Sequence, residues 1–453
     1  MHSLPPAARP LPALSEHTRL RYATFILLYL AQGLPEGVVI FAIPAWLAMQ
    51  GKTAAEIAAY SAVILLPASF KIVFAPLIER FTYLPMGRRR PWLLVGQVGL
   101  TCSFAGLALV PDPLHHLAWL AAGGFAVIAF SMLQDVATDS LAIDIIPAAQ
   151  QGQANSLMWG AKSIGVAGAL AAGSLLINTY GFEAAILTIA ELVLLILPVP
   201  LLLRERPGEK LLPWMVGAPA PESARLHLHG WAPLLRAARR VVVLPNSLLV
   251  AAIVFTGLLC LSYVRTALPL FTIQQLHWTN VAYAQVQATA GLVGGAVGML
   301  AGGLLIRWCG LTRLGQGCIL AFGLLAGALG GAAAYWGQAG VVAGFIGGFS
   351  LLATLFQISN LALAMQCCWQ RVSAVQFTLY MAIANAGGTT GIALLGYVRT
   401  HYAWDVTFWL VPALVVLPIA LLQSIRPAAH TRHLATLEDG WQEQEAPTLQ
   451  VAM

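Results

Sequence analysis

The chain has 453 residues, 59% of them apolar and only 9% charged, and its formal net charge is +6. A water-soluble fold of this length cannot hide so much apolar surface, so the composition excludes a soluble globular protein and makes a lipid bilayer the solvent. The basic residues gather between the apolar runs and form no continuous stripe, which excludes nucleic acid as a partner.

In chain order, residues 1–21 are rich in Pro and Ala, show no cleavable-signal pattern, and are expected to form a short disordered cytoplasmic tail. Apolar runs of about 20 residues, the length that crosses about 30 Å of hydrocarbon as helix, follow one another from there. They fall at 22–48, 54–78, 92–111, 117–146, 154–178, 182–203, 247–272, 280–306, 314–336, 339–367, 375–398 and 405–425. With no period-two alternation a barrel is excluded, and the pattern predicts an all-α polytopic membrane protein of twelve transmembrane helices. The polar stretch 204–246 separates a six-helix bundle at 22–203 from another at 247–425, and reads as a cytoplasmic linker; 426–453 reads as a cytoplasmic tail. Within the linker, Trp231 to Leu244 mixes aromatic, aliphatic and basic residues, as an interfacial helix or an ordinary basic loop would. Placing both termini in the cytoplasm leaves only Lys52 and Arg399 as basic loop residues outside, a strong positive-inside asymmetry.

A weak internal repeat supports two pseudo-symmetric bundles. The stretches that begin at Thr53 and Thr279 each start with a capping Thr and end in an aliphatic run closed by Arg, at Arg80 and Arg307. The polar residues from Gln134 to Asp144 in the fourth span have a counterpart around Gln357 and Asn360 in the tenth.

Charges inside hydrocarbon cost several kcal/mol unless paired or wet, so each needs a reason. They are Glu36, Lys71, Asp135, Asp139, Lys162, Glu191 and Arg265. Asp135 and Asp139 are four apart and so share one helical face, with Asp144 following at the cytoplasmic end. Two like charges in low dielectric resist joint ionisation, the property a proton carrier requires; clamping of basic residues is the structural alternative. In the first span, "QGLPEG" sets Gly33, Pro35 and Gly37 midway along a helix, which predicts a kink and makes Gln32 and Glu36 cavity candidates. Glu36 and Arg265 are expected to pair in at least one state.

Between the second and third spans, "APLIERFTYLPMGRRRPW" joins an acid–base pair, Glu79 and Arg80, to Gly87, Arg88, Arg89 and Arg90. This resembles the cytoplasmic gate motif of major facilitators, with Glu79 in the acid position and a longer spacer before Gly87; the resemblance places Glu79 against the start of the eleventh span. The stretches "AQGLP", "SFKIVFAPLIER", "GRRRPWLL", "QDVATDSLAIDIIP" and "CCWQRVSAVQFTLYMAIAN" narrow the likeness. They are similar to the AmpG muropeptide permease group, which takes in siderophore importers of the RhtX and FptX kind and acetyl-CoA carriers. That resemblance covers both halves and implies the major facilitator fold and proton-driven uptake through the bacterial inner membrane. Glu36, and "LSYVRTALPLF" where a Lys-x-Gly-Asp pattern belongs, depart from the group and count against a muropeptide as substrate.

The expectation is therefore a secondary transporter, not an enzyme, that takes up an amphipathic organic anion or zwitterion by alternating access. Asp135, Asp139 and Glu36 would handle protons, while Gln32, Lys71, Lys162, Arg265, Gln357 and Asn360 would meet substrate. Tyr29, Tyr263 and Trp159 are further candidates for stacking against it, with a packing or lipid-facing role as the alternative for each. The partners are a small molecule, protons and lipid; no cofactor or metal is called for, and the chain is expected to be a monomer. A membrane-embedded acyl-group enzyme, a non-transporting sensor and an exporter are the alternatives.

Several motifs take plainer readings. "GKT" at Gly51 lacks the upstream Gly of a phosphate loop, and Thr53 with Glu56 forms a capping box instead. Glycines 291, 294, 295, 298 and 302 have close-packing spacing. The six cysteines show no metal-ligand spacing and read as reduced packing residues, and no histidine lies deep in a span.

Overall fold

The structure, a computed structural model, describes residues 12–450. Among the described residues, twelve helices are long and apolar enough to cross a membrane: α1 (Thr18–Met49), α2 (Ala55–Arg80), α3 (Arg90–Ala108), α4 (Leu117–Ile145), α5 (Ala148–Tyr180), α6 (Phe182–Leu202), α7 (Pro245–Gln275), α8 (Ala282–Cys309), α9 (Leu311–Gly331), α10 (Ala339–Gln366), α11 (Gln370–His401) and α12 (Trp404–Ser424). Among the described residues there is no strand, only a bridge between Ala13 and Arg204. The chain divides into two compact units, one of Met1–Ile146 with Ile164–His229 and the other of Pro147–Ser163 with Gly230–Met453.

In the first unit α4 is the central helix, packed by α1, α2 and α3, and α3 also packs on α6. The core joins Val38, Val39 and Ile43 of α1 to Tyr60 and Ile64 of α2, Phe104 of α3 and Ile186 of α6. In lipid the helices gain little from apolar burial itself, so close backbone approach matters more. Gly37 shows it: a Cβ there would stand 2.5 Å from the carbonyl oxygen of Val166 on α5.

In the second unit α7 packs on α11 and α12, α9 on α10 and α12, and α8 on α10. The glycine stripe of α8 does the packing expected of it. Gly298 meets Thr354 of α10, and Gly295 and Gly302 meet Ser163 and Ser156 of α5, whereas Gly291 faces open space.

The repeated start signals have repeated structural effects. Thr53 accepts from the Glu56 N–H while the Glu56 carboxylate accepts from the Thr53 N–H, and Thr279 accepts from the Ala282 N–H at 3.1 Å. The kink predicted in α1 takes the form of a π-helical stretch, Glu36–Ala42, directly after Pro35. Proline removes an N–H from the i→i−4 ladder, and the wider turn accommodates the fault. A second π-helical stretch, Phe271–Gln275, follows Pro269 in α7.

The polar segments are more ordered than their composition predicts. Residues 12–17 are no loose tail: Ala13 and Leu14 are buried, and the Leu14 and Ser15 N–H groups donate to the carbonyls of Arg204 and Glu205. The expected disorder of residues 1–11 lies outside the described residues. Arg204 to His229 folds onto the first unit, and the linker then forms a helix, Trp231–Val242, that buries Leu234, Ala237 and Val241 on the second. After α12 the chain continues as a helix, Pro427–Gln450, tied to Arg371 through Glu438.

Candidate functional site

The i, i+4 spacing of Asp135 and Asp139 does put both carboxylates on one face of α4, where both are buried. Facing them is Lys71. The helix of the second span is interrupted at Phe70, between Pro67 and Pro76, and Lys71 opens the segment that follows. Its ammonium forms an ion pair with Asp135 and lies 3.9 Å from Asp139. On the other side the hydroxyl of Tyr29, from α1, donates to Asp139. Two carboxylates thus share one ammonium inside the bundle, with a phenol as second donor.

Beside them the Gln134 amide donates to Gln97 at 2.7 Å, and Gln97 donates to the Val193 carbonyl at 2.7 Å, which links α4, α3 and α6. Tyr29 is therefore a buried hydrogen-bond donor rather than an open stacking surface. Tyr263 is likewise buried, its hydroxyl spent on the Thr407 carbonyl at 3.1 Å.

The remaining candidates are distributed over the two units. Gln32 is fully buried on α1, and neither its Nε2 nor its Oε1 has a hydrogen-bond partner among the described residues. Glu36, the first residue of the π-helical stretch, is half-buried. In the second unit Asn360 is buried with its Oδ1 unpartnered among the described residues, and Gln357 is half-buried. Lys162 lies over the Trp159 ring at 5.9 Å, which engages that aromatic with a cation of its own helix. Arg265 is exposed on α7.

The gate-motif residues do three different jobs. Arg88 and Arg89 are fully buried and form a four-member charge cluster with Glu79 and Asp144, at 2.9–3.1 Å across its contacts. Burial pulls the Arg89 guanidinium down, but Glu79 and Asp144 outweigh it and hold the group above its ordinary range. Burial wins at Arg88, which is lowered although Asp144 and Glu79 support its charge.

Arg90 is a clamp. It donates to the Pro200 and Leu201 carbonyls at the end of α6, both at 2.7 Å, and to the carbonyls of Lys210 and Leu211. The Pro200 and Leu201 carbonyls, in the last turn of α6, have no intrahelical partner of their own, and a guanidinium there also suits the negative helix end. Arg80 stands apart, over the Phe81 ring at 5.3 Å.

Sequence reasoning missed Glu205. Its carboxylate accepts from the N–H groups of Arg88 at 2.9 Å, Arg89 at 2.7 Å and Arg90 at 2.5 Å, and so caps the start of α3. Gly87 makes this possible: its φ is +105°, and a Cβ would stand 2.5 Å from the Glu205 carboxylate carbon. Arg206 and Glu209 complete the buried fold-back, joined through Ser223 at 3.2 and 3.1 Å. Burial, followed by the neighbouring Glu205 charge, pushes the Glu209 carboxyl up to about 8. The only sequence signal was an alternation of acids and bases just after α6.

Comparison with known proteins bears on the family and the fold. The model of the Major Facilitator Superfamily matches residues 25–375. The anhydromuropeptide permease of Escherichia coli (strain K12) is 26% identical over 438 residues, covering 91% of this chain and 81% of that protein. Among solved structures, the human organic anion transporter MFSD10 (TETRAN) aligns with a TM-score of 0.67 at 15% identity, covering 89% of this chain and 99% of its own. A single-residue variant of the Escherichia coli fucose:proton symporter FucP aligns with a TM-score of 0.66 at 12% identity, covering 89% and 98%. With a family model spanning most of the chain and twelve membrane-crossing helices in two bundles, this protein belongs to the Major Facilitator Superfamily of transporters.

Proposed function

We propose that the protein is a proton-coupled importer of an amphipathic organic anion or zwitterion, of muropeptide or siderophore size, working by alternating access across the bacterial inner membrane with both termini in the cytoplasm. The observation that carries the coupling is the sharing of Lys71 between Asp135 and Asp139. Two carboxylates against one ammonium leave one negative charge, which one proton cancels. An anionic substrate competes with Asp135 for the same ammonium, so proton and substrate both act on one ion pair. Asp135 and Asp139 are the proton carriers in this reading, and Glu36 a further one.

Gln32 in the first unit and Asn360 in the second support the substrate side. Both keep buried amide atoms without partners, which a polar ligand or water would satisfy. Lys162, Arg265 and Gln357 extend that set, and the basic loops support the inward placement of both termini. The permease named for its anhydromuropeptide substrate supports a solute of that kind, while the cation Arg265 favours an anionic one.

Uptake into energised, right-side-out vesicles tests the proposal. A panel of labelled anhydromuropeptides, siderophores and small carboxylates is offered with and without a protonophore. Accumulation of one class that collapses with the protonophore is the expected result; protonophore-insensitive accumulation, or accumulation only in inverted vesicles, overturns coupling or direction respectively.

A further inference from the structure

On the first unit, at the junction of α2 and α3, a cavity of about 440 Å³ lies outside the charge cluster and the shared-lysine site. Its walls include Arg80, Phe81, Tyr83, Trp92, Val95 and His227. Two of these carry polar atoms in need of partners. Arg80 makes no hydrogen bond or ion pair among the described residues, and its Nε is buried and unsatisfied. His227 is more than nine-tenths buried, and its Nδ1 is also unsatisfied.

An arginine fork and an imidazole N–H in one cavity suit a tetrahedral oxyanion, whose several oxygens can accept from both. The surroundings favour negative charge as well. Burial, and then His229, Arg88, Arg80 and Arg89, push the His227 imidazole down to about 4, so the ring is neutral in a positive field until an anion arrives.

The rest of the wall is apolar. The Trp92 indole N–H is already donated to the Phe81 carbonyl, which leaves its ring face to the cavity. Phe81 is 50% exposed and Val95 50% exposed; Phe81 directly follows the end of α2, and Val95 lies in the second turn of α3. Aromatic side chains at that level mark the headgroup region of a bilayer. A free inorganic anion has no use for those walls, whereas a phosphodiester carrying acyl chains uses both.

We propose that this cavity is a binding site for one anionic phospholipid, its phosphate held by Arg80 and His227 and its glycerol and first acyl carbons lying against Trp92, Phe81 and Val95. The same lipid would sit directly behind the loop that carries Arg88 and Arg89, and so would brace it from the bilayer side.

Native mass spectrometry of the detergent-purified full chain, titrated with phosphatidylglycerol or phosphatidylcholine, tests this. The wild type is expected to retain one phosphatidylglycerol preferentially, and Arg80→Gln to bind it about fivefold more weakly, the share of one surface cation in anionic-lipid binding. His227→Ala should weaken it too. Val95→Trp keeps the charges and fills the mouth of the cavity at an exposed position; it should lose the lipid while eluting and melting as wild type. Equal retention of phosphatidylglycerol by wild type and all three variants overturns the site. Equal retention of phosphatidylcholine overturns the anionic choice, and displacement by millimolar inorganic phosphate shows a free-anion pocket rather than a lipid site.

Discussion

Replacing Glu205 with Ala removes a carboxylate that no transport cycle need involve, and the structure fixes what should follow. Three N–H donors at 2.5–2.9 Å lose their acceptor at the first turn of α3, where the helix has none of its own. A hydrogen bond to a charged group contributes about 1.5–3 kcal/mol, and truncation admits some water, so a loss of about 4 kcal/mol is expected. For a unit of this size that corresponds to a fall of about 8 °C in melting temperature.

Gly87 supplies a control within the same contact. In the wild type, Gly87→Ala meets both the positive φ and the Glu205 carboxylate at 2.5 Å; in a Glu205→Ala background only the backbone strain of about 1–3 kcal/mol remains. The double-mutant cycle should therefore show the second change costing less than it does alone. Melting of the detergent-purified protein, followed by circular dichroism of its helices, reads both effects. A Glu205→Ala protein that melts within a degree of wild type, or strictly additive costs, would refute the capping argument.

Asp135→Asn should abolish pH-driven accumulation and leave counterflow intact, because the isostere keeps the shape and discards the titration; normal concentrative uptake would make Asp135 structural. Glu209 binds a proton in the folded state between its ordinary 4.5 and about 8, where the unfolded chain has released it, so stability should fall as pH rises through that window. Glu209→Gln should flatten that dependence, measured as melting temperature from pH 5 to pH 9. Glu438→Ala takes the carboxylate from the fully buried Arg371 guanidinium, at an expected cost of about 3 kcal/mol, and should speed tryptic cleavage at the exposed Arg432.

The helices were legible because hydropathy over 20 residues is a strong signal, and their caps because Thr53 and Thr279 act within three residues of themselves. Asp135 and Asp139 were legible for the same local reason. Their partners were not: Lys71 is 64 positions from Asp135, and it reaches the pair only because α2 breaks at Phe70. Tyr29 read as a stacking aromatic because its ring says nothing about where its hydroxyl goes. Arg90 read as one of three gate-motif arginines, yet it clamps carbonyls while Arg88 and Arg89 face carboxylates. Glu205 was hidden by its loop, since polar composition alone does not reveal that a segment folds back under a helix start.

The π-helical stretch in α1 changes how that helix is to be counted. One surplus residue turns everything beyond it by about 100° relative to a regular helix. A wheel drawn through Thr18–Met49 at constant pitch therefore assigns the wrong neighbours to one end, and Gln32 and Leu47 cannot be placed on a common face by arithmetic. The same holds for α7 across Phe271–Gln275. At these two places removal of a single residue would take out the surplus, yet Pro35 and Pro269 would still withhold their N–H groups, so the wider turn is the chain's answer to its prolines and not a fault to be edited away.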